Sequence, residues 1–200
     1  MTTRDLFATL PVHEGAALDR LHARLEEVAE QENLLDVAYR TVDSPLGTLL
    51  LAATGRGLVR VAYASEDFDL VLDRLAAQVS PRVLHAPRQL DVAAREFEEY
   101  FDRRRRAFDL PLDLQLSAGF RRTVLEHLTE ISYGTTASYG QVAASAGSPR
   151  AVRAVGTACA KNPLPVVVPC HRVVHSDGSP GGYLGGLEAK RLLLRLEAAA

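Results

Sequence analysis

A cysteine and a histidine follow three consecutive valines in the stretch Val166-Val167-Val168-Pro169-Cys170-His171-Arg172-Val173-Val174-His175. The β-branched run predicts a buried strand that leads to the cysteine. Pro169 lacks an amide proton, so it ends the hydrogen bonding of that strand. A thiol beside an imidazole can act as a nucleophile, because the imidazole takes or shares its proton. An isolated Cys-His pair is more often structural, so other parts of the chain must distinguish the two interpretations.

Composition indicates an ordinary globular protein of one large or two small domains. The chain has 200 residues, of which 47% are hydrophobic and 24% are charged. No apolar run approaches the roughly 18 residues of a membrane span, and the N-terminus lacks a signal-peptide pattern. Cys159 and Cys170 have no CxxC spacing, which argues against a disulfide scaffold or a structural zinc site. We therefore expect a reducing, cytoplasmic location and no membrane partner.

Charge is distributed unevenly along the chain. Residues 1–116 contain 14 Arg and 20 Asp or Glu, a net charge of −6, whereas residues 117–200 contain 9 Lys or Arg and 5 Asp or Glu, a net charge of +4. This step suggests two modules, with any contact to phosphate made by the second. Ordinary surface variation explains the step equally well on charge alone.

Residues 1–36 are predicted to form a helical extension. The helix spans Glu14 to Asn33, and one face carries the apolar residues Leu18, Leu21, Leu25 and Val28. We expect this face to dock on the body of the protein, with a partner-binding helix as the alternative.

Residues 37–116 are predicted to form a supporting α/β module. Strands at Val37–Val42, Thr48–Ala53 and Leu58–Tyr63 would form an antiparallel meander. Helices follow at Phe68–Gln78 and Leu90–Arg103, and Phe108–Leu114 is predicted to be extended. The run Arg103-Arg104-Arg105-Arg106 follows several acidic residues, so internal pairing at a helix end is favoured over nucleic-acid binding.

Residues 117–200 are predicted to be mostly helical. Ser117 would cap a helix from Ala118 to Ile131, and Ser138 would cap a second helix, Tyr139–Ala146, that ends at Gly147. Ser148 would cap a third helix that continues to Lys161. The second and third helices, joined by a tight turn, form either a DNA-binding helix-turn-helix or an αα-corner within a core. A last helix, Leu187–Ala198, carries Glu197, which alone would be an exposed terminal carboxylate. The predicted fold class is therefore α/β (α+β), with a small antiparallel sheet-plus-helix module followed by a helical domain.

The ordered motifs of residues 117–198 resemble the O(6)-alkylguanine-DNA alkyltransferases, also called methylated-DNA–protein-cysteine methyltransferases. The PCHRV motif is highly specific in this context. Residues 37–116 are similar to the family's N-terminal module in pattern only, and residues 1–36 are not covered. The motifs that carry the resemblance are Pro169-Cys170-His171-Arg172-Val173, Ser138-Tyr139 with Gln141-Val142-Ala143, Arg153-Ala154-Val155-Gly156, Asn162-Pro163, Gly182-Tyr183 with Gly185-Gly186-Leu187, and Glu197.

The resemblance implies a single-turnover transfer of an alkyl group from O(6) of guanine in DNA to Cys170. It implies that His171 takes the thiol proton through a water and that Glu197 orients His171. Asn162 would brace the turn beside the cysteine, and Tyr139 would donate to the departing guanine. These five residues are the implied catalytic group.

The resemblance also implies that the helix-turn-helix enters the minor groove and that the damaged base is flipped out of the duplex. Arg153 would then fill the vacated place in the base stack. Tyr183 and the backbone amide of Leu184, where many relatives carry a small polar residue, would contact the base. The carbonyls of Cys170 and Val173 would bind the guanine amine. Further implied phosphate contacts are Arg121, Ser148 and Ser176.

The expected partner is double-stranded DNA that contains alkylated guanine, bound by a monomer, with cooperative binding left open. No cofactor is expected, and no metal site, because His85 and the nearby histidines have no cysteine partners. Three alternatives fit less well. A non-enzymatic binder of alkylated DNA would lack the acceptor cysteine. A helix-turn-helix transcription factor gives no reason for the Pro-Cys-His-Arg motif, and a cysteine hydrolase needs an oxyanion hole and turnover.

Overall fold

A computed structural model describes residues 14–32 and 34–198. The chain has the α/β class that its sequence predicts. Four short 3₁₀-helices, at Ala64–Glu66, Pro87–Leu90, Leu114–Leu116 and Cys170–Arg172, connect the main elements. Those elements are α1 (Glu14–Gln31), β1 (Val37–Val42), β2 (Leu49–Thr54), β3 (Gly57–Tyr63), α2 (Phe68–Gln78), β4 (Val83–His85), α3 (Asp91–Phe101), α4 (Gly119–Leu128), β5 (Ala137–Ser138), α5 (Tyr139–Ser145), α6 (Val152–Ala160), β6 (Val173–Val174) and α7 (Gly186–Ala198).

The first part of the chain contains a four-stranded sheet of order β3-β2-β1-β4. The predicted antiparallel meander of β1, β2 and β3 is confirmed. The sequence missed β4, which pairs in parallel with β1 and places His85 beside Tyr39. Three residues are too few to show the alternation that identifies a half-buried strand. The predicted extended segment Phe108–Leu114 contains no strand and forms only a bridge between Leu58 and Leu112.

Both faces of this sheet are buried, which explains the near-continuous apolar sequence of β2 and β3. One face packs Leu50, Val59 and Ala62 against Val71 and Leu75 of α2. The opposite face contributes to the largest core, which extends into the helical part of the chain. That core contains Leu49, Leu51, Val61, Tyr63, Phe97, Leu125, Leu128, Val155, Cys170 and Leu193. The sheet module therefore supports the region around Cys170 directly.

Helix α1 is present, but its predicted docking face is wrong. Leu18 and Leu21 are each 63% exposed, Leu25 is 52% exposed and Val28 is 43% exposed. Ala29 instead faces the body and is buried. The predicted end of this helix, Asn33, lies outside the described residues. The amphipathic pattern identified the helix correctly but not the side by which it touches the protein.

The predicted strand before Cys170 is also wrong, although its burial is right. Val166 and Val168 are buried, but residues 163–168 form turns and Cys170–Arg172 forms a 3₁₀-helix. Val166 has a φ of 75°, which is rare for a β-branched residue. Prolines at 163, 165 and 169 remove three amide donors from this stretch, so it cannot pair as a strand. The strand of this region instead follows the 3₁₀-helix, where β6 pairs in parallel with β5.

The helix-turn-helix of α5 and α6 is present, and two predicted helix caps, one in this motif and one at α4, are wrong. Ser138 caps α5 as predicted, and its hydroxyl accepts from the amide of Gln141 in a capping box. Gly147 follows the end of α5 with a φ of 72°, as a C-terminal glycine should. Ser148 does not cap α6, because a turn intervenes and α6 begins at Val152. Ser117 does not cap α4 either, since the N-cap is Ala118.

Two of the four arginines in the run after α3, Arg104 and Arg105, form the predicted internal ion pairs. Arg104 contacts Asp102 at 2.9 Å, and Arg105 contacts Glu99 at 2.8 Å and the buried Glu96 at 3.4 Å. These contacts neutralise positive charge at the helix end, which weakens any attraction of this surface for anions. Among the helices of residues 14–32 and 34–198, none is both long and apolar enough to cross a membrane.

Candidate active site

Cys170 lies at the start of the 3₁₀-helix and is only 2% exposed. Its Sγ accepts a hydrogen bond from Nδ2 of Asn162 at 3.1 Å, and the same nitrogen donates to the carbonyl of Val168 at 2.8 Å. Oδ1 of Asn162 accepts from the amide of Leu164 at 2.9 Å. The side chain of Asn162 therefore joins both ends of the turn and fixes the position of the sulfur.

The Cys170 thiol is protonated at neutral pH in this environment. Burial raises its pKa to about 11, although the hydrogen bond from Asn162 and the ammonium of Lys190 oppose the shift. A thiol with this pKa needs a base before it can attack an electrophile.

His171 is the base that the geometry offers. Its side chain is fully buried, and Nε2 lies 2.9 Å from Oε1 of Glu197. An ionised carboxylate only accepts hydrogen bonds, so Nε2 carries the proton and Nδ1 holds a lone pair. Nδ1 has no hydrogen-bond partner within the described structure. Burial lowers the pKa of His171 below its ordinary 6.5, although Glu197 opposes the shift, so the imidazole is neutral near pH 7.

Glu197 is only 3% exposed and is held ionised by donors from four residues, His171 and three others. Arg172 donates through Nε at 2.9 Å and Nη2 at 2.8 Å, the hydroxyl of Tyr100 donates at 2.6 Å, and the amide of Gly134 donates at 3.2 Å. Burial alone would raise the carboxyl pKa, but the hydrogen bonds from His171 and Arg172 outweigh it and hold the pKa well below 4.5. Glu197 can therefore stabilise a proton on His171 without accepting it.

A buried lysine lies between the cysteine and the helix-turn-helix. Nζ of Lys190 donates to the carbonyl of Val173 at 2.6 Å and lies 6.0 Å from the ring centroid of Tyr139. Burial lowers the pKa of Lys190, and its attraction to Cys170 opposes the shift. Lys190 is a nearby positive charge that favours the thiolate over the thiol. Tyr139 abuts Gly181, where an added Cβ would lie 2.3 Å from the phenolic oxygen.

A groove of about 580 Å³ opens beside these residues. Its floor and walls combine an arginine and a glycine of α6 with the glycine-rich loop before α7. The residues that line it include Tyr139, Arg153, Gly156, His175, Tyr183 and Leu184. Because Gly156 has no side chain, a flat ligand can approach the backbone of α6 closely.

The loop that carries Tyr183 is supported by the sheet module. The hydroxyls of Tyr183 and Tyr63 are 2.8 Å apart, and the two rings meet edge to face with centroids 6.0 Å apart. Gly185 lies against the same ring, so an added Cβ would be 2.6 Å from Cζ of Tyr63. The end of β3 thus determines where this loop can lie.

Comparison with known proteins identifies the same two parts of the chain. Residues 37–114 match the 6-O-methylguanine DNA methyltransferase, ribonuclease-like domain, and residues 119–199 match the 6-O-methylguanine DNA methyltransferase, DNA binding domain. A methylated-DNA–protein-cysteine methyltransferase of Methanosarcina barkeri is 37% identical, with 80% of this chain and 96% of the relative aligned. One from Mycolicibacterium paratuberculosis is 40% identical over 80% of this chain and 92% of the relative. The chain belongs to the methylated-DNA–protein-cysteine methyltransferase family.

A solved structure extends this relationship to three dimensions. The crystal structure of Mycobacterium tuberculosis OGT in complex with DNA is 37% identical and has a TM-score of 0.71, covering 81% of this chain and 93% of that one. Family membership and the shared fold confirm the resemblance that the sequence motifs indicated.

The structure brings most of the predicted site residues of this methyltransferase-family chain together. The structure links Cys170 to Asn162 and His171 to Glu197 by hydrogen bonds, and Tyr139, Arg153, Tyr183 and Leu184 line the adjoining groove. Val173 is close by, but its carbonyl already accepts from Lys190, which leaves one lone pair for a ligand. Glu197 is buried rather than an exposed terminal carboxylate. Cys159 is buried in α6, and burial raises its pKa to about 12.

Three predicted phosphate contacts have different surroundings. Nη2 of Arg121 donates to the carbonyl of Leu116 at 2.8 Å, so this guanidinium is partly engaged within the protein. Ser148 is partly buried in the turn before α6, and Ser176 is exposed in the loop after β6. No contact seen in the fold joins these residues to the groove, and their role remains a prediction.

Sequence reasoning missed three residues of the site. Tyr100 lies in α3, 97 positions before its partner Glu197, and nothing local marks it. Arg172 belongs to the quoted motif, but its bidentate contact with Glu197 was not anticipated. Lys190 could have been found, because it shares a helical face with Leu193 and Glu197, and a lysine on an apolar face requires a partner.

Proposed function

We propose that this chain repairs DNA by direct reversal, moving an alkyl group from O(6) of guanine to Sγ of Cys170. The observation that carries the proposal is a buried group of two hydrogen-bonded pairs, Asn162–Cys170 and His171–Glu197, beside an open groove. It holds one thiol, one neutral base and one fixed carboxylate. DNA is the partner, in keeping with the DNA binding domain matched by residues 119–199 and the DNA complex of the similar protein.

The reaction begins with proton transfer from the Cys170 thiol. Nδ1 of His171 takes this proton through a bridging water, and Glu197 stabilises the resulting imidazolium. The positive charge of Lys190 and the hydrogen bond from Asn162 stabilise the thiolate. The attacking thiolate thus depends on several groups that the folded chain brings together around Cys170.

The thiolate then attacks the alkyl carbon in line with the bond to O(6). A carbon–sulfur bond forms as the carbon–oxygen bond breaks, and the bonding electrons pass to guanine. The phenol of Tyr139 donates a proton to the leaving guanine and is reprotonated by solvent. Burial raises the pKa of Tyr139 above 10.0, which keeps this hydroxyl protonated and able to donate.

The product is a thioether, which has no group that water can readily displace. We therefore expect a single turnover in which Cys170 is a consumed reactant. Guanine O(6) is inaccessible to a buried thiol while the base is stacked, so the base must leave the duplex. Arg153 is exposed at the second position of α6, from where it can occupy the space left in the stack.

Mass spectrometry tests this function directly. The protein is incubated with a duplex that carries one O(6)-methylguanine, and the intact chain is weighed. We expect a mass gain of one methylene group per chain, located on the peptide that contains Cys170, and no further reaction with added duplex. A Cys159→Ala variant should react fully and a Cys170→Ala variant should not. Transfer by the Cys170→Ala variant, or repeated turnover, would contradict the proposal.

A further inference from the structure

A second group of polar side chains lies outside the site around Cys170, where α1 meets the edge of the sheet. It consists of His22 and Glu26 on α1 and His85 at the end of β4. One potential ligand atom from each residue lies within 4.8 Å of the other two. Alkyl transfer uses none of these residues, and α1 lies outside the segments that match the family, 37–114 and 119–199.

We propose that His22, Glu26 and His85 bind a divalent transition-metal ion of the zinc class, and that this ion fastens α1 to β4. Two imidazole nitrogens and one carboxylate oxygen form a donor set that zinc prefers. His22 and Glu26 are four residues apart on a helix, so they lie on the same face and point toward a common partner. His85 comes from a different element, which makes the site a cross-link rather than a local pair.

Existing contacts already hold the three residues near the separation that an ion needs. Nε2 of His22 lies 3.2 Å from Oε1 of Glu26 and 2.5 Å from the carbonyl oxygen of His85. The rings of His22 and His85 are 5.4 Å apart between centroids. Ligands about 2.0–2.2 Å from a tetrahedral zinc ion lie about 3.4 Å from one another. The three potential ligand atoms all lie within 4.8 Å of one another, which is close to this separation.

Attachment of α1 is the property that the ion would change. The helix exposes its leucines and therefore gains little from apolar burial against the body. A cavity of about 700 Å³ between α1 and β4, lined by His22, Glu26 and His85, leaves the group open to solvent ions. Metal binding to the folded state alone would stabilise this contact in proportion to ion concentration.

The sequence alone predicts no metal, because the histidines of this region have no cysteine partners. Cysteine partners are required only by zinc sites that contain thiolate ligands. Two histidines and a glutamate bind zinc without cysteine and leave a fourth position for water. The fold brings His22 and His85, which are 63 positions apart in the chain, into contact, and the sequence alone does not predict this contact.

The test is a titration of the full chain with Zn²⁺, followed by calorimetry and by thermal unfolding. A Cys170→Ser background is used throughout, so that the reactive thiol does not compete for the ion. We expect one saturable site per chain and an unfolding temperature that rises with Zn²⁺ concentration. His22→Ala and His85→Ala should each weaken binding by more than the about 10–100-fold that loss of an outer-shell partner causes.

His127→Ala is the matched control. His127 lies 3.2 Å from Glu130 on α4 and is a comparable imidazole–carboxylate pair without a third ligand. This variant should bind Zn²⁺ as tightly as the parent. Circular dichroism on each variant verifies that it is folded. Absence of saturable binding in the parent, or equal losses in the His22, His85 and His127 variants, would overturn the proposal. Neither result would bear on alkyl transfer to Cys170.

Discussion

Glu197 determines which ring nitrogen of His171 carries the proton. Its oxygens accept from Arg172, Tyr100 and Gly134 as well as from His171, so the carboxylate is fixed in position and in charge. An ionised Glu197 requires the proton on Nε2, and the lone pair must then lie on Nδ1. In the proposed reaction, the nitrogen that accepts the thiol proton is thus determined by Glu197, a residue that makes no hydrogen bond to the sulfur.

The pH dependence of alkyl transfer tests this assignment through His171→Gln. In the parent chain the rate should rise with pH as His171 loses its proton, below its ordinary pKa of 6.5, and then level off. Glutamine can still donate to Glu197 but cannot act as a base. We expect the rate near pH 7 to fall by about 10²–10⁴-fold. The rate should then keep rising toward the thiol pKa of about 11.

Single-turnover rates with free O(6)-benzylguanine across this pH range supply the measurement. The free base avoids any contribution from DNA binding. Asn162 and Glu197 are unchanged in this variant, and thermal unfolding controls for loss of structure. A His171→Gln profile that levels off at the same pH as the parent would show that another group takes the proton.

At the level of elements, the end of β3 supports the loop before α7. Tyr63 contributes a hydroxyl partner for Tyr183 and a ring surface for Gly185. The hydroxyl pair crosses between the two segments that match separate domains of the family. The sheet module can therefore affect the rate of alkyl transfer without containing any reacting group.

Tyr63→Phe tests whether this contact positions Tyr183. The change removes one hydrogen bond and keeps the ring, so stability should fall by about 1 kcal/mol. If Tyr183 shifts as a result, transfer from free O(6)-benzylguanine should slow by about threefold to tenfold. The control is Tyr39→Phe, a change in β1 away from the site. If Tyr63→Phe loses stability but transfers at the parental rate, the contact is structural only.

Elements with a local signal could be predicted from the sequence, whereas those fixed by distant partners could not. Helix α2 begins and ends where its apolar spacing predicts, and Ser138 caps α5 through side chains three residues apart. The turn before Cys170 lacks such a local signal, because Val166 is buried and adopts a φ of 75° although three consecutive valines favour a strand. Strand β4 was missed because it is only three residues long and because its partner β1 lies about 45 residues earlier.

The residues of the candidate site likewise divide into those with a local sequence signal and those fixed by distant partners. Cys170 and His171 are adjacent in sequence and could be proposed from residue chemistry alone. The pairing of Glu197 with His171 came from the family resemblance, and Tyr100 came only from the fold. An exposed end was the simplest expectation for a carboxylate near the C-terminus. Burial of Glu197 requires Arg172 and Tyr100, which the sequence places 25 and 97 residues away.

Across the whole molecule, one core joins an acidic first part to a basic second part. Residues 117–200 carry the net positive charge and contain the helix-turn-helix, the groove and the thiol. An electrostatic attraction to phosphate would therefore bring DNA to the side of the molecule that holds Cys170. Two exposed arginines of this part occupy different places. Arg150 lies in the turn before α6, and Arg153 lies in α6 itself.

Arg153→Ala and Arg150→Ala separate extrusion of the base from attraction to the backbone. Arg153 lines the groove, so its loss should slow repair of duplex O(6)-methylguanine far more than transfer from free O(6)-benzylguanine. Arg150 lies outside the lining of that groove. Its loss should weaken duplex binding about equally for damaged and undamaged DNA and reduce the salt dependence by about one phosphate contact. Rates on both substrates and binding at several salt concentrations distinguish these effects. Equal losses on duplex and free base for Arg153→Ala would remove the support for its role in extrusion, because a residue that stabilises the flipped state has no such state to act on in the free base.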